Sequence, residues 1–129
     1  MLKRYIQESG SAQVDGIFER ADEIVLSPVT RIEAYSAIQR RFRENSFTPA
    51  ELKTLIKEME KDLEFFHLVK FTADLESLAV SSVSKYSLRT LDSIQLASAI
   101  VSRPDLLVTS DKRLAEAAQQ VLPNTQLIE

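Results

Sequence analysis

The chain has 129 residues, 44% of them hydrophobic and 27% charged, and a formal net charge of -3; this suits one soluble globular domain, residues 1–129, built around one core. The acidic balance and a pI of about 5.3 exclude a broad basic face, so nucleic acid would have to be held by a local patch. With no cysteine and a single histidine, His67, disulfides, thiolate metal sites and Cys–His triads are excluded, leaving Asp, Glu, Lys, Ser, Thr and Tyr for any catalysis.

The opening MLKRYIQESG lacks the apolar core of a secretory signal, and no apolar run reaches the length of a membrane span, so a cytoplasmic protein is expected. MLKRYIQES reads as a short helical piece ending near Gly10, and Val14, Ile17 and Phe18 repeat at helical spacing in SAQVDGIFERAD. The β-branched run EIVLSPV predicts a strand ending near Pro28, after which Thr30 caps a helix over RIEAYSAIQRRFREN. Thr48, Pro49 and Glu51 form a capping box with proline at the first helical position, predicting a helix to about Glu64. FFHLVKF predicts a strand. Thr72 opens a helix over ADLESLAVSSVSKY, and RTLDSIQLASAI follows as a second one. DLLVTS predicts a strand, DKRLAEAAQQV a helix, and TQLIE a closing strand. Helices alternating with short apolar strands predict an α/β domain with a parallel sheet.

Three carboxylates occupy unusual places. Glu33 falls in the first turn of the helix after EIVLSPV, and Asp111 directly follows the strand DLLVTS. In open α/β sheets ligands bind at the carboxyl ends of strands, which is where both acids should lie. Asp92 falls in the first turn of RTLDSIQLASAI, a helix apolar on every side and therefore expected to be buried. The plainer account of each acid is structural: the macrodipole favours acids in a first turn, and Asp111 suits an N-cap. Asp92 sits least easily with that account, because no basic residue at helical spacing pairs with it and an unpaired buried charge is costly. A divalent cation would relieve it, and carboxylates with water are the ligands Mg²⁺ and Mn²⁺ prefer.

SPVTRIEAYSAIQRR, YSLRTLDSIQLASAI and LLVTSDKRLAEAA, in that order, resemble the three signature blocks of PIN-domain proteins, in particular the VapC-type ribonuclease toxins of toxin–antitoxin pairs. The resemblance covers nearly the whole chain. It implies a three-layer α/β domain whose central parallel sheet is flanked by helices, with Glu33, Asp92 and Asp111 as the catalytic, metal-site acids and Thr109 or Ser110 supporting them by hydrogen bonds. It also implies Mg²⁺ or Mn²⁺, RNA as substrate, and metal-assisted phosphodiester hydrolysis leaving a 5′-phosphate and a 3′-hydroxyl. A homodimer and a cognate protein antitoxin are implied partners. The family pattern normally opens with a strand carrying a further aspartate. This chain begins at what resembles the helix after it, so the expectation is an N-terminally truncated domain with the first strand missing and three acids of four. Two alternatives stand beside the nuclease: a catalytically impaired PIN fold serving in binding or assembly, and an unrelated small α/β domain whose acids only cap helices. Arg31, Arg89, Lys112 and Arg113 lie beside the acids, where they could neutralise phosphates. The QRRFR cluster at 39–43 reads as a solvated helix face, His67 as structural, and Tyr35 and Phe42 as packing residues.

Overall fold

A computed structural model describes residues 1–129. The protein is a mostly helical α/β chain. After a 3-10 turn at Leu2–Arg4 come α1 (Ser11–Arg20), β1 (Val25–Leu26), α2 (Thr30–Arg43), α3 (Pro49–Leu63), β2 (His67–Leu68), α4 (Ala73–Tyr86), α5 (Thr90–Ser102), β3 (Leu107–Thr109), α6 (Lys112–Gln119) and β4 (Thr125–Leu127). The chain divides into two compact units, residues 1–24 with 30–67, and residues 25–29 with 68–129.

The first unit is helical. Gly10 adopts φ 88°, a left-handed conformation open to glycine, and turns the chain into α1. The helical piece expected over the first nine residues is only the 3-10 turn, with Ser11 Oγ accepting from the Glu8 amide at 2.9 Å just beyond it. Thr48 and Glu51 cap α3 reciprocally, as their spacing predicts. Ala34, Ile38, Met59 and Leu63 bury the apolar faces of α2 and α3. Two acids on α3 then reach out to the neighbouring elements. Asp62 Oδ2 accepts from Arg4 Nε at 3.0 Å and from the Tyr5 hydroxyl at 2.6 Å. Glu60 Oε1 accepts from Arg31 Nε at 2.9 Å and from the Tyr35 hydroxyl at 2.5 Å. Each carboxylate thus gathers one arginine and one tyrosine onto a single oxygen. Burial opposes ionisation of Asp62, but the Tyr5 hydroxyl and the Arg4 guanidinium outweigh it and hold the carboxyl below its ordinary range.

The second unit is organised by α5. Its Leu96 packs with Leu88, Leu114, Ala117 and Ala118, while its Ala97 packs with Val69, Leu75 and Ala79. Small residues let α4 and α5 approach closely: Ala79 and Ser82 are buried on α4, and Ser93, Ala97, Ser98 and Ala99 on α5. The buried serines do not waste their hydroxyls. Ser82 donates to the Leu78 carbonyl at 2.8 Å, Ser93 to Thr90 at 2.7 Å and Ser98 to Ile94 at 2.7 Å. Burial of α5 is not complete all round, since Leu91 and Val101 are exposed near its ends.

β3 and β4 are parallel, with Leu107, Val108 and Thr109 opposite Thr125, Gln126 and Leu127. α6 is the crossover that parallel pairing requires, and it buries Leu114, Ala115, Ala117 and Ala118. β1 and β2 form a separate pair, in which the His67 amide donates to the Ile24 carbonyl and the Val69 amide to Leu26, both at 2.9 Å. The single central sheet expected from the sequence is therefore two short pairs. The runs EIVLSPV and FFHLVKF contribute only two paired residues each, because hydrogen bonding to a neighbour, not β propensity, decides where a strand ends.

Leu96 is wholly buried at the heart of the second unit, so Leu96→Ala should lower the free energy of unfolding by about 2–5 kcal/mol, read from urea denaturation. Asp62→Asn should cost about 1 kcal/mol at neutral pH, a modest value because the partly exposed cluster is screened by solvent. The lowered carboxyl pKa fixes the sign. The wild-type advantage is full above the ordinary aspartate value of about 3.9 and vanishes as pH falls through the lower folded value. Equal stability of the two chains at neutral pH would count against this role for Asp62.

Candidate active site

Asp92 is the third residue of α5, and the serine and alanine face that follows it is buried. Its side chain is half-buried at the helix N-terminus, where the macrodipole favours negative charge. Asp111 follows β3 and caps α6, its Oδ1 accepting from the Leu114 amide at 2.9 Å. The Asp111 amide in turn donates to Thr109 Oγ1 at 3.1 Å, so the last residue of β3 fixes the backbone on which the acid sits. Of the two residues expected to support the acids, Thr109 makes this bond, while Ser110 is exposed.

The structure brings Asp92 and Asp111 near each other. Burial raises the Asp92 carboxyl above its ordinary range, and the charge of Asp111 raises it further; Arg89 and Arg113 pull the other way without reversing the shift. The expectation that no basic residue at helical spacing pairs with Asp92 is corrected here, since Arg89, three residues earlier, acts on it. Arg89 is the N-cap residue of α5 and Arg113 comes from α6; both are among the basic residues expected beside the acids. A carboxyl whose proton affinity is raised by burial and by a neighbouring acid, with arginines acting on it, has the donor chemistry for a cation and nearby positive charge for anions.

Glu33 lies in the first turn of α2, in the first unit, and is half-buried. Its charge acts on the Met1 amino group, whose pKa is lowered by burial and raised in part by Glu33. No group of three or more His, Asp or Glu side chains is arranged to hold a metal ion. The Asp92–Asp111 pair nonetheless fits Mg²⁺ or Mn²⁺ by donor chemistry: Mg²⁺ commonly binds through one or two carboxylates and keeps several waters. Asp111 keeps its second oxygen outside the cap bond, and a cation would remove the repulsion that raises Asp92.

Residues of the basic cluster have ordinary structural duties. Arg41 pairs with Glu8 at 2.7 Å, and Phe42 stacks on Phe47 with centroids 6.4 Å apart. His67 is exposed and bonded through its backbone. Tyr35 does more than pack, since its hydroxyl bonds Glu60 and the Arg31 guanidinium lies 5.2 Å from its ring centroid. The part played by Glu60 was missed from sequence; the only signal was the four-residue spacing of Arg31 and Tyr35, which puts them on one helix face.

A mostly helical α/β chain with one acid just past a strand and another in a helix's first turn has carboxylate donors of the kind metal-using hydrolases employ. The PIN domain family model matches residues 5–120. The chain belongs to the PIN domain family, a family of metal-dependent nucleases that act on RNA or DNA and generally use Mg²⁺ or Mn²⁺. The match runs through both compact units. No curated protein matches the chain. No helix is long and apolar enough to cross a membrane.

The raised Asp92 carboxyl makes its ionised form a cost to the metal-free fold. That cost is absent below the unfolded aspartate value and fully present once pH exceeds the higher folded value. Asp92→Asn should therefore raise the melting temperature of the metal-free protein at pH 7, with the gain disappearing below about pH 4. Calorimetry in chelator across that range checks the sign; a lower melting temperature at pH 7 would contradict it.

Proposed function

We propose that this PIN-domain protein is a metal-dependent endoribonuclease of the VapC-like toxin type. The nearness of Asp92 and Asp111 in a chain of this family carries the reading. In it, Asp92 and Asp111 hold Mg²⁺ or Mn²⁺. Glu33 joins them as the third acid on the strength of its motif. When bound, the ion supplies Lewis-acid polarisation of the phosphodiester and activation of water. The chain's own residues do the rest. Thr109 fixes the Asp111 backbone, and the α6 cap engages one oxygen of that carboxylate, so that the other would be the one to hold an ion. Arg89 and Arg113, with Lys112 beside Asp111, neutralise backbone phosphates of the RNA, a local patch consistent with the chain's acidic balance. No covalent intermediate is required, which suits a chain without cysteine.

The same resemblance supplies the rest of the proposal: a single PIN-like domain acting in the cytoplasm as a homodimer, restrained by a cognate protein antitoxin. One observation favours the second reading, a PIN fold with impaired catalysis that serves in binding or assembly: the absence of a group of three acids.

Incubation of the full chain with structured and single-stranded RNA in Mn²⁺ decides between them. Under the nuclease reading cleavage depends on the metal, and Asp92→Asn or Asp111→Asn lowers it by more than about 100-fold, beyond the roughly 10–100-fold typical of outer-shell changes. Thr109→Val, which removes only the supporting oxygen, should fall within that smaller range. RNA left intact by the wild-type chain in Mn²⁺ assigns the protein to the binding reading.

A further inference from the structure

Resting on the nuclease reading above, we propose that Leu88 is a positioning residue that sets Asp92 against Asp111 by tying the turns that carry them into one leucine cluster. Both acids sit on exposed turns. Arg89, Thr90 and Leu91 are exposed and Asp92 is half-buried; Ser110, Lys112 and Arg113 are exposed and Asp111 is half-buried. The buried residues that bracket the first turn are Leu88 and Ser93, and the Ser93 hydroxyl donates to the Thr90 carbonyl of its own helix at 2.7 Å. The second turn is held by Leu114, whose amide donates to Asp111 Oδ1 at 2.9 Å. Leu88 and Leu114, 4% and 1% exposed, belong to the same buried cluster, with Leu96, Ala117 and Ala118.

The chain enters this cluster through a tight turn. α4 ends at Tyr86, Ser87 takes a left-handed φ of 55°, and Leu88 follows. Such a φ is uncommon for a residue with a side chain. Arg89 then caps α5, its carbonyl accepting from the Ser93 amide at 2.9 Å. Leu88 therefore precedes Asp92 by four residues, with no loop between them to absorb a displacement. Leu96 and Ala97 anchor the middle of α5, while Leu88 anchors the point from which its first turn starts. Packed interiors have low compressibility and transmit strain. Truncating a core leucine leaves a cavity that the surroundings fill only in part, so the start of α5 is expected to shift toward it. Misplacement of a reacting or ligating group by about 1 Å can cost ~100-fold in rate.

The test uses the full chain in four forms: wild type, Leu88→Ala, Leu88→Met and Leu75→Ala. Leu75 is the control, wholly buried in the same compact unit but in a cluster that contains neither Leu88 nor Leu114. If either alanine variant fails to fold, the valine variants of both positions take their place. Melting temperature gives the structural cost of each change. Mn²⁺ affinity is read from the free-ion electron paramagnetic resonance signal, RNA cleavage from gels, and the hold on the two turns from amide hydrogen exchange at Ser93 and Leu114 in the metal-free chain. A positioning role predicts about tenfold weaker Mn²⁺ binding in Leu88→Ala, with cleavage lowered too. It predicts faster exchange at Ser93 and Leu114 than in Leu75→Ala, which binds Mn²⁺ as wild type does despite its own loss of melting temperature. Leu88→Met, which keeps the volume, restores affinity. A Leu88→Ala chain that loses no more Mn²⁺ affinity than Leu75→Ala, or one that methionine does not rescue, overturns the proposal while leaving the nuclease reading in place. A wild-type chain that neither binds Mn²⁺ nor cleaves RNA ends the nuclease reading and this inference with it.

Discussion

Asp92 and Asp111 repel each other, and the repulsion persists because apolar packing locks the elements that carry them. Asp92 cannot withdraw without turning α5, whose Leu96 and Ala97 are anchored in two separate clusters of the core. Asp111 cannot withdraw without breaking the α6 cap and the bond from its own amide to Thr109. Burial of the surrounding helices thus supplies the energy that holds two negative charges together. Local rules of stability are broken at such points, and a site is the usual reason.

The way α5 is built explains how a small domain manages this. A helix lined with leucine would stand off from its neighbours. Here Ala79, Ala97 and the buried serines allow close approach between α4 and α5, and each serine hydroxyl returns to a carbonyl of its own helix. The buried face runs through the middle of α5, while Leu91 in its first turn and Val101 in its last stay exposed.

In the first unit polar contacts do the comparable work. α3 offers Glu60 and Asp62, two residues apart, to different elements, and each binds an arginine and a tyrosine. Glu8 repeats the pattern on a smaller scale with Arg41 and Lys3. Partly exposed ion pairs add little stability singly, but shared acceptors impose direction. Three arginines, Arg4, Arg31 and Arg41, are engaged in these pairs, while Arg89 and Arg113 bear on Asp92.

The helices were legible in the residues because their signals are local. Thr48 and Glu51, Thr72, and Asp111 each mark a helix start through a bond made within a single turn, and α3, α4 and α6 begin where those residues predict. The family was legible for a related reason: three motif blocks preserve the order in which helices and strands present their acids. Sheet formation was not legible, since EIVLSPV and FFHLVKF carry the propensity for longer strands while their pairing depends on partners distant in sequence. Arg89 and Arg113 were legible as basic residues beside the acids, and both act on Asp92. Sequence alone determined which residues carry charge and where helices begin, because capping and periodicity act over three or four residues. Tertiary structure alone decided that the charge of Asp111 bears on Asp92 and that Glu60 gathers Arg31 and Tyr35, because an electrostatic interaction depends on distance through space and not on separation along the chain.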